Sequence, residues 1–214
     1  MNLKILYEDN HYLIVDKPSM LITQKAQGHE DSLEQRACHY IKNQYQKPGS
    51  VFLHAAHRLD KEVSGIVVFA KTSKGLERFN ELLRNKKVKK VYFAKVEGLL
   101  KEKKKVLNAF ISKTEHKALI CERAKEGYKS CSLSYQVLKE ERGDSFIEID
   151  LDTGRYHQIR AQLSSIGHPV IGDKKYGSVK PFIQGGIALR HAHLEFIHPI
   201  KQNLISISCS LDFS

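Results

Sequence analysis

Short apolar and alternating runs dominate this sequence, and helical patterns do not separate them at regular intervals. Leu3 to Tyr7 and Tyr12 to Val15 flank Glu8-Asp9-Asn10, which predicts two strands joined by a tight turn. Ile66 to Ala70 is a continuous β-branched and apolar run of the kind buried on both faces. Val91 to Val96, Ser132 to Leu138, Phe146 to Leu151, His193 to His198 and Leu204 to Cys209 read as further strands. Helical character is confined to three places. Asp31 to Tyr45 starts at Asp31/Ser32 and stops near Pro48-Gly49. Ser73 caps a segment with Leu76, Phe79, Leu82 and Leu83 on one face. Thr153-Gly-Arg opens a helix to Gly167, with Thr153 as its cap, Ile159, Leu163 and Ile166 on the core side, and Gly167 as the left-handed exit. Parallel strands need long crossovers, usually helical. With no regular strand–helix alternation, no repeat and no Pro/Gly-rich linker, the chain predicts one α+β domain over residues 1–214. Its sheet is extended and largely antiparallel, with a few helices on it.

The length, 214 residues, supports a real core without disulfides or metals. A composition 41% hydrophobic and 28% charged excludes disordered and fibrous classes. The charge balance is less ordinary: 35 Lys plus Arg against 24 Asp plus Glu gives +11. Such an excess serves solubility alone or a polyanionic partner, nucleic acid or an acidic membrane surface. It is concentrated. Arg84, Lys86, Lys87, Lys89, Lys90, Lys95, Lys101, Lys103, Lys104 and Lys105 face only Glu97 and Glu102 within one short stretch. Such a run is either a solvated face or a phosphate-tracking patch.

Nowhere do eighteen apolar residues follow one another, so no segment reads as a membrane-spanning helix. The opening residues lack the apolar core and cleavage site of a secretory signal. Cys38, Cys121, Cys131 and Cys209 show no metal-binding rhythm and are expected as free thiols in a reducing cytoplasm. His191, His193 and His198 could suggest a metal, but the apolar residues between them read as a strand that happens to carry histidines.

Three segments combine polar residues with tight-turn punctuation. In His57-Arg58-Leu59-Asp60-Lys61-Glu62-Val63-Ser64-Gly65, a carboxylate sits between two cations on a loop feeding the Ile66 strand. That setting suits an ionised nucleophile or base, and equally a salt-bridged surface loop. Thr153-Gly-Arg-Tyr-His-Gln-Ile-Arg160 places Arg155 and His157 in the first turn of a helix, where backbone N–H groups favour anions. Arg160 lies next to core-facing Ile159, so its guanidinium needs a carboxylate partner. Gly167-His-Pro-Val-Ile-Gly-Asp-Lys-Lys-Tyr-Gly177 is rich in turns.

In these residues the sequence resembles the RluA-type family of RNA pseudouridine synthases. The likeness runs through Ile5-Leu-Tyr-Glu-Asp9, Asp16-Lys-Pro18, His57 to Gly65, Ala70-Lys-Thr72, Lys89 to Gly98, Thr153 to Arg160, Gly167 to Asp173, Tyr176-Gly177, His191-Ala192 and His198-Pro199, in order along nearly the whole chain. The resemblance implies the pseudouridine synthase catalytic fold, a mostly antiparallel mixed sheet with flanking helices and loops around a central cleft. It implies that Asp60 attacks the nucleoside or deprotonates its sugar, that Arg160 pairs with Asp60, and that Tyr92 stacks on the target base. An ordinary strand tyrosine is the other reading of Tyr92. Arg58 is expected to fill the space left by an extruded base. Lys90, Arg155, His157, Lys103, Lys104 and Lys105 are further candidate RNA contacts. The implied reaction breaks the N1–C1′ bond of uridine, turns the uracil and rejoins it through C5, which calls for no cofactor and no metal. The implied partner is rRNA or tRNA, met by a cytoplasmic monomer with no membrane contact.

There are departures. Lys61-Glu62-Val63 stands where Arg-Asp-Thr is usual, and Arg190 where a Leu commonly precedes His-Ala. Many relatives carry an N-terminal S4-type RNA-binding domain, whereas this sequence opens at the catalytic segment. RNA selection is therefore expected to rest on the catalytic domain's own basic surface. A catalytically silent RNA-binding or remodelling protein is the alternative. Asp60, Tyr92 and Arg160, all retained, argue against it.

Overall fold

The computed structural model describes residues 3–28, 31–182 and 185–210. In chain order the elements are β1 (Lys4–Glu8), β2 (Tyr12–Lys17), α1 (Leu33–Gln44), β3 (His54–Ala55), β4 (Ser64–Ala70), α2 (Ser73–Arg84), β5 (Val88–Glu97), β6 (Lys104–Lys113), β7 (Ala118–Cys121), β8 (Lys129–Glu141), β9 (Asp144–Leu151), α3 (Gln158–Ser165), β10 (Leu189–Ile197) and β11 (Leu204–Ser208). A single 3-10 turn spans Lys174–Tyr176. The α+β class with a mostly antiparallel sheet is as the strand pattern predicts. The chain divides into two compact units, one of residues up to Val88 with His193–Ser210, the other Lys89–Ala192.

In the first unit β2 pairs antiparallel with β1 on one side and β4 on the other, while β3 adds to β4. The pairing of β10 with β11 closes the chain. Six of the seven residues of β4 are buried, as its unbroken apolar run requires. Tyr12, Ile14, Ile66, Val68, Phe79, Leu194 and Phe196 share one core, with Phe79 supplied by α2. The cap of α2 is Thr72, not Ser73: the Thr72 hydroxyl accepts from the Gly75 N–H at 3.0 Å, and Ser73 is the first helical residue. Ser32 caps α1 as its sequence signal predicts, accepting from Gln35 N at 3.2 Å.

In the second unit the order is β5–β9–β8–β6–β7, each pairing antiparallel. The alternation in β8 breaks at Leu138, where a bulge separates the Val137–Ile147 and Lys139–Phe146 pairs and Leu138 is exposed. Strands β6 and β7 are not visible as runs in the sequence. Their alternation is weak because β6 opens on exposed Lys104 and Lys105, and neighbours on both sides hold it in the sheet.

Helix α3 begins four residues later than the sequence suggests. Thr153 does not cap it. Its hydroxyl receives the Ser132 N–H at 3.0 Å and bonds Gln158 Oε1 at 2.8 Å, which folds residues 153–157 into a turn. His157 then takes a left-handed φ of 51°, so regular helix cannot extend back through it. Arg155 and His157 consequently precede the first helical turn and do not occupy it. Gly167 is left-handed at φ 83°, as expected of the exit.

Candidate active site

Arg58 and Asp60 belong to the first unit. The other candidates, Lys90, Tyr92, Lys103, Lys104, Lys105, Arg155, His157 and Arg160, belong to the second.

Asp60 is half-buried between buried Leu59 and a turn closed by Val63 N–H to Asp60 O at 3.2 Å; Arg58 is exposed. The loop is fixed by the segment that follows β2. Thr23 brackets Leu59, its hydroxyl donating to the carbonyl at 2.8 Å and accepting from the N–H at 3.1 Å. Ser19 Oγ donates to Glu62 O at 2.7 Å. Lys17, wholly buried, donates to the carbonyls of Leu21 (2.6 Å), Pro18 (3.0 Å) and Lys61 (3.2 Å). Backbone on both sides of Asp60 is thus tied down. Burial pushes the Lys17 amine down to about 7, while the Asp60 and Glu62 carboxylates pull it upward. The three carbonyls match the three protons of the charged form. Sequence reasoning assigned no role to Lys17, Ser19 or Thr23. The only signal was a lysine inside an apolar strand, directly before a proline.

In the second unit Tyr92 is buried on β5, opposite Ile149, and its ring stacks on His191 with 4.5 Å between centroids and 16° between planes. The base-stacking candidate is therefore braced by a second ring. The Lys90 ammonium reaches the Thr153-Gly-Arg turn, 4.0 Å from where a Cβ at Gly154 would stand. Helix α3 is buried from Gln158 to Leu163 although half of those side chains are polar. Each polar one is accounted for. Gln158 Nε2 donates to Ser132 O (3.1 Å) and Gln162 Oε1 (3.0 Å), and Gln162 Nε2 donates to Leu107 O at 2.9 Å. Arg160 forms a two-pronged pair with Asp173, Nε to Oδ2 at 2.6 Å and Nη2 to Oδ1 at 2.9 Å, with both side chains out of water. The carboxylate that a buried guanidinium demands is present in its own unit, on a residue the sequence reading left without a role. Arg160 also lies 5.2 Å from the Tyr176 ring centroid.

The basic run does not behave as one block. In the second unit Lys103 pairs with Glu140 at 2.5 Å and Lys105 with Glu102 at 2.6 Å, so two of the three clustered cations are compensated locally. Lys104 has no such pair among the described residues. The histidines considered for a metal have other uses: His193 bonds Ser208 Oγ at 2.9 Å and His198 meets Asp9 at 3.0 Å. All four cysteines are free thiols, as expected.

The mostly antiparallel α+β scaffold agrees with the resemblance in the sequence: the chain belongs to the RNA pseudouridylate synthase family, whose model matches residues 11–165. An RNA pseudouridine synthase of Bacillus subtilis is 34% identical over 206 residues, covering 95% of this chain and 67% of that protein. The ribosomal large subunit pseudouridine synthase C of Buchnera aphidicola is 33% identical over 222 residues, covering 98% of this chain and 67% of the relative. The chain thus spans about two thirds of the length of these relatives. Among solved structures, human RNA pseudouridylate synthase domain containing 4 superposes with a TM-score of 0.80 at 21% identity, over 97% of this chain and 88% of that one, which shows the shared fold. Conversion of uridine to pseudouridine in RNA is the reaction of this family.

Proposed function

We propose that this chain isomerises selected uridines of ribosomal RNA, with Asp60 as the reacting carboxylate. The observation that carries the reading is the clamp on the Asp60 loop. Hydrogen bonds from Lys17, Ser19 and Thr23 hold the backbone at Leu59, Lys61 and Glu62, on either side of the one carboxylate that the family likeness assigns to chemistry. Support for the ribosomal target is the likeness to the ribosomal large subunit pseudouridine synthase of Buchnera.

The target base is first turned out of the RNA, a step that costs a few kcal/mol of stacking and is offset by phosphate and shape contacts. Asp60 then attacks C1′ or removes the C2′ proton. By either route the N1–C1′ bond breaks and its electron pair stays with uracil. Tyr92, braced by His191, supports the detached ring while it turns to present C5. A C5–C1′ bond forms as the Asp60–C1′ bond breaks or, by the other route, as Asp60 returns the proton to C2′; the C5 proton leaves and N1 ends protonated, so product and substrate have the same composition. The family likeness gives Arg160 the role of partner to that aspartate, favouring its ionised form.

The test is a site-resolved map of pseudouridine in total RNA from cells with and without the gene. Sites in ribosomal RNA that vanish on deletion and return with the wild-type gene are expected. An unchanged map would refute the reading and leave a catalytically silent RNA binder, while sites vanishing only from transfer RNA would overturn the ribosomal assignment.

A further inference from the structure

The second unit carries an aromatic stack that the proposed mechanism does not use. Tyr156 is exposed over 37% of its surface and lies on the imidazole of His157, with centroids 3.7 Å apart and 20° between planes. The imidazole is itself held. Tyr176 Oη accepts the Ala118 N–H at 2.7 Å and shares a hydrogen bond with His157 Nδ1 at 2.9 Å. The left-handed backbone at His157 completes a rigid mount for Tyr156.

Two cations attend the ring. The Lys113 ammonium sits 4.9 Å from the Tyr156 centroid. Because His157 covers one face of Tyr156, that ammonium lies towards the other. Arg155 is exposed, and its Nε donates to Ser130 O at 3.2 Å, which anchors the guanidinium next to the stack. A large exposed ring fixed from behind and flanked by cations is the arrangement that binds single-stranded nucleic acid, with stacking for a base and positive charge for its phosphates.

We propose that Tyr156, mounted on His157, is a stacking platform for an unpaired base of the RNA substrate outside the reacting uridine, with Lys113 and Arg155 on the adjoining phosphates. A stacked base holds an exposed aromatic face more strongly than a hydrated ammonium does, so the incoming base displaces Lys113 from the ring and the ammonium moves to a phosphate. The inference rests on RNA being the substrate.

The chain has no tryptophan, so Tyr156→Trp creates a single reporter. Its fluorescence is expected to fall on titration with oligoadenylate and with oligouridylate, more strongly with the better-stacking adenine, and to stay level with inorganic polyphosphate. Tyr156→Ala should weaken binding of the same oligonucleotides about tenfold with an unchanged salt slope, since stacking releases no counterions. Tyr156→Phe should bind within about twofold of wild type. Lys113→Gln should instead flatten the salt slope by about 0.7, as one lost single-strand phosphate contact does. Wild-type affinity in Tyr156→Ala, equal fluorescence changes with polyphosphate and RNA, or no RNA binding by the wild type would each overturn the platform. These readouts need no turnover. A protein that stacks RNA at Tyr156 yet leaves every uridine unchanged would refute the isomerase reading and spare the platform.

Discussion

Two buried charges, Lys17 and Arg160, are accommodated in different ways, one by backbone carbonyls and one by a carboxylate. Lys17 has a folded pKa of about 7 against about 10.5 in the open chain, so the unfolded state binds this proton more tightly. The burial penalty on the ammonium is fully present below pH 7 and is relieved as pH rises towards 10.5, so stability increases through that window. Lys17→Met has no such proton. The wild type should therefore gain stability relative to this variant between pH 7 and pH 9 in denaturant titrations, and a constant difference would contradict the account. Arg160 behaves differently because its partner shares its burial. Asp173→Asn leaves a guanidinium without its countercharge and should cost about 3–5 kcal/mol in urea unfolding. Replacing both, Arg160→Met with Asp173→Leu, should recover most of that loss while leaving no activity, which separates the role of the pair in catalysis from its role in stability.

At the scale of elements, the segment between α3 and β10 is held by a glycine that no other residue can replace. Gly172 has φ 88°, and a Cβ there would stand 2.7 Å from Phe182 Cβ and 2.8 Å from Gly186 O. Gly172→Ala must shift the backbone that carries neighbouring Asp173. A loss of at least about 2 kcal/mol is expected, with activity falling further than stability; a neutral substitution would refute the constraint. Legibility along the chain follows from the same physics. The strands β2, β4, β5 and β9 could be read because burial on one or both faces leaves a periodic apolar signature. So could α1, whose cap and period agree. Strands β6 and β7 were hidden because lysines and a weak alternation mask positions that only pairing partners define. The start of α3 was misplaced for a local reason: Thr153 looks like a cap in one dimension, but its hydroxyl is committed to Ser132 and Gln158 across the turn. Asp60, Tyr92 and Arg160 stood out through family likeness. Their supports at Lys17, Thr23, His191 and Asp173 lie far away in sequence or among ordinary-looking strand residues, and only folding brings them alongside.

At the scale of the molecule, the +11 charge sets affinity for a polyanion but is distributed less simply than its sequence suggests. With Lys103 and Lys105 already paired to Glu140 and Glu102, neutralising all three lysines of Lys103–Lys105 should flatten the salt dependence of RNA binding little more than Lys104→Gln alone. The expected change is about one phosphate contact, or about 0.7 in slope on single strands. A threefold larger change would show that the acidic partners yield to RNA.

The proposed role of Asp60 as the reacting carboxylate is tested most directly by single-turnover conversion of an RNA carrying a mapped site. Wild-type protein should convert that uridine completely, whereas Asp60→Asn should bind the same RNA with similar affinity and form no pseudouridine. Conversion by Asp60→Asn at the wild-type rate would contradict the account.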